Sequence, residues 1–204
     1  MDPQHYLDLA DWRRRVGDAY RLGSVEAWRA ARDRLFREHP ESPIPLDERA
    51  AFSGLRWFPP DPAYRVAARL DAGDAEELEI DTGGEDGVIR YRRIGSLRFR
   101  LQGTECTLTL LALLSYAGGL FLPFRDATSG AETYGGGRYL VDTAKGTDAG
   151  CLEITVGSPD VVIDFNYAYH PSCHYSPRWA CPLAPPENRL PVAVRAGEMA
   201  WRHD

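Results

Sequence analysis

The sequence predicts a mainly β fold, an antiparallel β-barrel-like domain that carries an N-terminal helical arm. Apolar residues recur at helical spacing only over residues 1–40. From Tyr64 onward the spacing changes to two, with glycine-rich turns between short segments. Strands and helices do not alternate, which argues against a parallel α/β sheet. A length of 204 residues is typical of a single domain, 1–204, that buries its core without disulfides.

The predicted arm, residues 1–40, contains two helices. Ser24 has the character of an N-cap for the second helix, and Glu26 lies in its first turn. This helix should end at His39-Pro40, because proline disfavours helical backbone in the residue before it. We expect the apolar faces of both helices to pack over the sheet.

Residues 41–63 form a proline-rich connection. Proline lacks a backbone donor, so this stretch is neither a central strand nor a helix interior. The connection also holds four large apolar residues, and we expect them to pin it onto the body: Phe52, Leu55, Trp57 and Phe58.

Residues 64–204 make up the predicted β body. About ten short strands at close spacing are typical of a barrel or a sandwich. The expected strands are Tyr64–Leu70, Leu78–Asp81, Val88–Ile94, Leu97–Gln102, Thr104–Leu114, Leu120–Pro123, Arg138–Val141, Leu152–Val156, Val161–Phe165 and Pro191–Ala196.

Composition excludes several classes of protein. The formal net charge is −6, whereas a general nucleic-acid binder needs a basic face. No apolar run reaches the length of about 18 residues that a membrane helix needs. The charged stretch Met1–Arg15 does not resemble a secretory signal, so we expect a cytoplasmic protein. We expect no nucleic-acid or membrane partner and leave a homodimer open.

Residues 121–190 carry the densest chemistry. Tyr134 precedes three glycines and Arg138; such a backbone can approach a ligand, and the guanidinium can bind a carboxylate or phosphate. Gly136 would then bring its amide near the ligand. The alternative is a glycine-rich hairpin in which Arg138 forms a structural ion pair with Asp126 or Asp142.

Lys145 is the only lysine beside 23 arginines. A lysine retained against such a bias is a candidate base or Schiff-base nucleophile, because arginine cannot replace a compact ammonium group. The alternative is an exposed turn around Lys145 and Gly146 with no chemical role.

The segment from Asp164 to Cys181 combines acids, amides, histidines and thiols. Cys173 could be a nucleophile activated by His170 or His174, with Asp164 or Glu187 orienting the base. The cysteines and histidines could also hold zinc, the two thiols could form a redox-labile disulfide, or they could simply be buried. The remaining candidates here are hydrogen-bonding residues, Asn166 and Tyr169.

The chain resembles a known family over nearly its whole length. The residues that carry the resemblance are Trp57-Phe58-Pro59-Pro60-Asp61-Pro62, Tyr134-Gly135-Gly136-Gly137-Arg138-Tyr139, Lys145-Gly146, Asp164-Phe165-Asn166, Cys181-Pro182, Glu187-Asn188-Arg189-Leu190 and Ala196-Gly197-Glu198. They are similar to domain-of-unknown-function family 1684, a group of uncharacterised bacterial and archaeal proteins. The resemblance implies a single-domain member without a known reaction. It adds weight to Tyr134, Arg138, Lys145, Asp164, Asn166, Cys173 and Cys181, and takes weight from His170 and His174.

We therefore expect a small-molecule enzyme or binder whose pocket, built from residues 123–148 and 164–189 at one mouth of the barrel, takes an anionic ligand. The candidate catalytic residues are Lys145, Asp164 and Cys173. The candidate ligand-binding residues are Tyr134, Gly136, Arg138, Asn166 and Tyr169. No motif identifies a cofactor or a metal site. The alternatives are a non-catalytic ligand-binding or protein-interaction module, or a domain stapled by zinc.

Overall fold

A computed structural model describes residues 2–84, 87–115, 118–142 and 151–201. Two helices, α1 (Pro3–Tyr20) and α2 (Val25–Glu38), precede an antiparallel sheet that curves into a half-barrel. The predicted fold class, mainly β with an N-terminal helical arm, is confirmed. The strands are β1 (Arg65–Ala72), β2 (Glu77–Asp81), β3 (Val88–Leu101), β4 (Thr104–Leu113), β5 (Leu120–Phe124), β6 (Arg138–Asp142), β7 (Leu152–Ile154) and β8 (Asp160–Asp164).

Local sequence signals set the ends of both helices. Asp2 caps α1 by accepting a hydrogen bond from the Gln4 amide at 2.9 Å. The predicted cap at Ser24 is confirmed, since its hydroxyl accepts a hydrogen bond from the Ala27 amide at 3.1 Å. Helix α2 ends at His39, where the backbone turns extended before Pro40.

The strand order in the sheet is β6-β5-β4-β3-β1-β8-β7. Strand β2 pairs with the first residues of β3, 88–92. Two predicted strands, Val88–Ile94 and Leu97–Gln102, are one long strand in the structure. The break expected between these two strands, at Gly95 and Ser96, was wrong: the pairing with β4 shifts register here, as in a β-bulge. A Cβ on Gly95 would lie 2.5 Å from the Asp71 carbonyl oxygen, so the glycine permits this close strand approach.

The prediction of a strand at Pro191–Ala196 was also wrong. Hydrogen bonds with two side chains, and not pairing with a neighbouring strand, fix the position of this segment. The Asp126 carboxylate accepts a hydrogen bond from the Val194 amide, and the Arg138 guanidinium donates to the carbonyls of Val194 and Ala196.

Two apolar clusters flank the sheet. One lies within the half-barrel and includes Leu97, Leu108, Phe124 and Phe165. The other packs the helical arm against the opposite face of the sheet. It is mostly aromatic and includes Trp12, Trp28, Phe36, Phe121, Tyr139, Tyr169 and Tyr175. The proline-rich connection is pinned as expected, with Trp57 packed edge-on against Trp28 at 5.2 Å between ring centroids. Among the residues that the structure describes, no helix combines the length and apolarity needed to cross a membrane.

Candidate functional site

The two segments expected to build the site lie against each other. Tyr139 and Tyr169 exchange backbone hydrogen bonds of 2.8 and 3.1 Å. At the other end of the contact, the Arg125 amide donates to the Asn188 carbonyl at 2.8 Å. Residues 123–142 and 164–189 therefore form one continuous seam. Lys145 lies outside the described residues.

Tyr134, Cys173 and His174 form a partly exposed patch on this seam, which we call the thiol surface. The Cys173 Sγ lies 3.9 Å from the Tyr134 hydroxyl oxygen, and the rings of Tyr134 and His174 are 4.9 Å apart between centroids. Of the four cysteines in the chain, all of them described, only Cys173 is not buried. The thiol surface thus presents one partly exposed cysteine beside a phenol and an imidazole.

Gly136 allows Tyr134 to occupy its place in this surface. A Cβ at position 136 would lie 2.3 Å from a carbon of the Tyr134 ring, a distance that real structures do not contain. The sequence-predicted role of Gly136 was an amide near the ligand; the structure instead shows its missing side chain accommodating the Tyr134 ring.

Electrostatics keep Tyr134 protonated. Burial is the largest of several causes, with Cys173 next, that together raise its pKa to about 12, while Arg125 acts in the opposite direction. The hydroxyl is therefore a hydrogen-bond donor at neutral pH, able to donate to a thiolate or to a ligand. Arg125 is partly buried, and its Nε donates to the Gly136 carbonyl at 3.4 Å.

The two histidines hold backbone segments. His170 Nε2 accepts a hydrogen bond from the Tyr134 amide at 3.2 Å, and His174 Nε2 accepts one from the Trp201 amide at 3.0 Å. Burial, aided by neighbouring cationic groups, lowers the pKa of His170 well below its usual value. The ring is therefore neutral, with its proton on Nδ1. In both rings Nε2 serves a backbone amide, which does not favour these nitrogens as bases for Cys173.

Beneath the thiol surface lies a set of buried polar residues that we call the buried junction: Arg32, Asp126, Arg138, Tyr175 and Glu198. The fully buried Glu198 carboxylate accepts hydrogen bonds from the His170 amide at 3.0 Å, from Arg32 at 3.3 Å and from the Tyr175 hydroxyl. Burial raises the pKa of Glu198, while Arg32 acts in the opposite direction. Neither Arg32 nor Glu198 was singled out from the sequence as a site residue.

Arg138 belongs to the buried junction. Its guanidinium donates to the carbonyls of Ala196, Val194 and Glu198 and lies 3.4 Å from Asp126. The alternative of a structural ion pair with Asp126 is thus what the structure contains. A ligand would have to displace these contacts to reach Arg138. Tyr169 is likewise buried, beside Arg32.

Asp164 and Asn166 line a different cleft. The Asn166 amide group exchanges two hydrogen bonds of 2.9 Å with the backbone of Asp61, and the Asp164 carboxylate accepts two from Asn166. The cleft has a volume of about 370 Å³ and lies between the start of α2, the proline-rich connection and the ends of β7 and β8. Asp164 and Asn166 are therefore separate from the thiol surface.

The structure bears on two of the alternatives, a metal site and a disulfide. Within the described ranges, no group of three or more His, Cys, Asp or Glu side chains is arranged to hold a metal ion. None of the four cysteines, all of which are described, forms a disulfide. The alternative that both thiols are buried holds for Cys181 and is wrong for Cys173, which is partly exposed.

Comparison with known proteins identifies the family of this chain. The family model described as "Protein of unknown function (DUF1684)" matches residues 50–199, which include the whole sheet, the thiol surface and Glu198. The chain belongs to the DUF1684 family. This confirms the resemblance seen in the sequence.

A solved relative shares the fold. The chain is similar to an uncharacterised protein of Haloarcula marismortui whose structure was solved by NMR, with 38% identity and a TM-score of 0.63. The match covers 85% of this chain and 91% of that one. A search of curated proteins found no significant match.

Proposed function

We propose that this DUF1684 protein binds a small molecule at the thiol surface and that Cys173 is the group that reacts with it. The observation that carries the proposal is the selective exposure of Cys173. Three cysteines are buried, whereas Cys173 is partly exposed beside the Tyr134 hydroxyl. A thiol must be accessible, and must reach its thiolate form, to act as a nucleophile.

The neighbouring groups suit this role. Tyr134 remains protonated and can donate a hydrogen bond to the Cys173 thiolate, which favours the charged form of the sulfur. The adjacent rings of Tyr134 and His174 offer a face for an apolar or planar part of the ligand. The backbone beneath the thiol surface is held in place, because His170 binds the Tyr134 amide and the Tyr139–Tyr169 bridge joins the two segments of the seam.

We propose an anionic ligand on the basis of Arg125. Arg125 is close enough to Tyr134 to affect its pKa, whereas Arg138 is buried and engaged with backbone carbonyls. The sequence-based proposal that Lys145 contributes to the same site is retained, and it predicts that Lys145→Arg folds but loses ligand binding.

A protection experiment tests this function. Iodoacetamide labelling of Cys173 is followed by mass spectrometry with and without a panel of small carboxylates and phosphate esters. At least one anion should slow labelling of Cys173 in the wild type, and the protection should weaken in Arg125→Gln. Arg69→Gln, a substitution on the exposed face of β1, is the matched control. The proposal fails if no anion protects Cys173 or if both variants behave alike.

A second candidate, a non-catalytic ligand-binding module, rests on the cleft beside Asp164 and Asn166. Its volume of about 370 Å³ falls in the range of small-molecule pockets. Among the described residues of its lining, the carboxylates of Asp61, Glu153 and Asp164 stand against one cation, Arg65, which favours a ligand that carries an amine. Thermal-shift titration with small amines tests it. Glu153→Gln should weaken any shift, and the candidate fails if no amine stabilises the wild type.

We also propose a cytoplasmic location. The four cysteines, one of them accessible, form no disulfide, which suits a reducing compartment. Fractionation of cells that express the native gene tests this, and recovery outside the cytoplasm would contradict it.

A further inference from the structure

A small cavity lies where the helical arm meets the body of the fold. Val16 and Arg32 line it from the two helices of the arm, and His170 and Ser172 line it from the body. Its volume is about 20 Å³, and one water molecule needs room of about 10–15 Å³. The cavity is therefore large enough for a single water molecule and too small for an organic ligand.

Two donors of residues in the cavity wall lack a hydrogen-bond partner among the residues that the structure describes: His170 Nδ1 and Arg32 Nε. The His170 side chain is fully buried, and that of Arg32 is nine-tenths buried. Nδ1 carries the proton of His170, because Nε2 accepts a hydrogen bond from the Tyr134 amide. The guanidinium of Arg32 keeps its proton, so its Nε is always a donor. Buried donors of this kind are almost always satisfied in folded proteins, by protein atoms or by ordered water.

The Glu198 carboxylate does not satisfy His170 Nδ1 directly. Its Oε1 lies 3.9 Å from Nδ1, beyond the hydrogen-bond range of about 2.7–3.2 Å. The carboxylate is also held in position, because its Oε2 accepts hydrogen bonds from the His170 amide at 3.0 Å and from Arg32 at 3.3 Å. Polar groups that face each other at such a distance are commonly joined through a water molecule.

We propose that the cavity binds one ordered water molecule, which accepts hydrogen bonds from His170 Nδ1 and Arg32 Nε and donates one to the Glu198 carboxylate. Water fits this site because two donors require an acceptor and the carboxylate requires a donor. An anion would satisfy the donors but would lie beside a second negative charge. Three hydrogen bonds is the usual number for a buried water.

The water site joins two parts of the molecule. Arg32 belongs to α2, whereas His170 holds the backbone of Tyr134 on the thiol surface. A bound water would extend this connection from the helical arm through the imidazole ring to Tyr134. The site does not depend on the reactivity of Cys173.

Crystallography of the full chain tests the proposal. At a resolution that shows ordered water, density for one water molecule should lie within about 2.7–3.2 Å of both His170 Nδ1 and Arg32 Nε. A dry cavity overturns the proposal, and so does a structure in which His170 Nδ1 donates directly to Glu198.

Nuclear magnetic resonance tests the site in solution. In the ¹⁵N-labelled chain, the proton on His170 Nδ1 should show a cross-peak to water with opposite signs in NOE and ROE spectra. Direct dipolar contact with a bound water gives opposite signs, whereas proton exchange gives the same sign in both. A cross-peak of one sign in both spectra, or no cross-peak, contradicts a bound water at this nitrogen.

A cavity-filling variant locates the water. Val16→Leu adds a methylene to the cavity wall and should remove both the density and the cross-peak. Ile163→Val is the matched control, because it changes a fully buried side chain by one methylene in the cluster within the half-barrel and should keep both signals. Circular dichroism checks that both variants fold, and the two wild-type measurements decide the question without them. A signal that survives Val16→Leu, or one that is lost in Ile163→Val, overturns the proposal.

Discussion

The buried junction and the thiol surface both carry polar side chains and lie next to each other in the molecule, but they differ in burial. In the buried junction every charged group meets an opposite charge or backbone: Arg138 meets Asp126 and three carbonyls, and Glu198 meets Arg32 and two other donors. On the thiol surface, Cys173 and Tyr134 remain partly exposed. Burial therefore separates the residues that hold the fold from the residues that we propose meet a ligand.

The largest test of this contrast is Arg138→Gln. Removing one partner of a buried ion pair leaves Asp126 uncompensated, and we expect a loss of about 3–5 kcal/mol in the free energy of unfolding. Urea denaturation measures it. Arg65→Gln breaks the exposed pair with Glu153 and should leave the midpoint almost unchanged. Equal losses in the two variants would remove the distinction between buried and exposed arginines.

A comparison of two adjacent glycines sharpens the account of the thiol surface. Gly136→Ala places a Cβ against the Tyr134 ring and should cost about 1–3 kcal/mol while displacing that ring. Gly135→Ala meets its nearest atom at 3.7 Å, an ordinary contact, and should change little. Urea denaturation and the rate of Cys173 labelling should both separate the two variants. If both alanines behave alike, the thiol surface does not depend on the placement of Tyr134.

The pH dependence of stability tests the buried histidine. The folded pKa of His170 lies below its unfolded value, so the unfolded chain binds the proton first as pH falls through about 6.5. Stability should therefore be lost on acidification, with a slope of at most about 1.4 kcal/mol per pH unit from this ring. In His170→Gln the slope in this window should be smaller than in the wild type. An unchanged slope would show that His170 titrates normally in the folded state.

Local sequence signals predicted the parts of the fold that depend on local physics. The Ser24 cap, the stop before Pro40 and the change of period at Tyr64 each act within a few residues, and each is confirmed. Gly95 was misread because a glycine in a strand can signal either a turn or a bulge. The choice depends on the Asp71 carbonyl of a neighbouring strand.

The site was predicted only in outline. The segments around Tyr134 and Cys173 were expected to lie close together because irregular polar sequence collects in both, and in the structure they do. It did not reveal that Arg138 is buried by the C-terminal segment, or that Arg32 reaches Glu198 across 166 positions. Contacts between distant segments leave no periodicity in the chain, so these pairings become visible only in the folded structure.

The pH profile of Cys173 labelling tests the central claim, that Cys173 is the reactive group of the thiol surface, most directly. Iodoacetamide labelling resolved for each cysteine should show Cys173 reacting fastest, with an apparent pKa below the usual value of about 8.5. In Tyr134→Phe that pKa should rise, because the hydroxyl that lies 3.9 Å from Sγ, and that could donate a hydrogen bond to the thiolate once it forms, is removed. If Cys173 reacts no faster than buried Cys106, or if Tyr134→Phe leaves its pKa unchanged, the claim is contradicted.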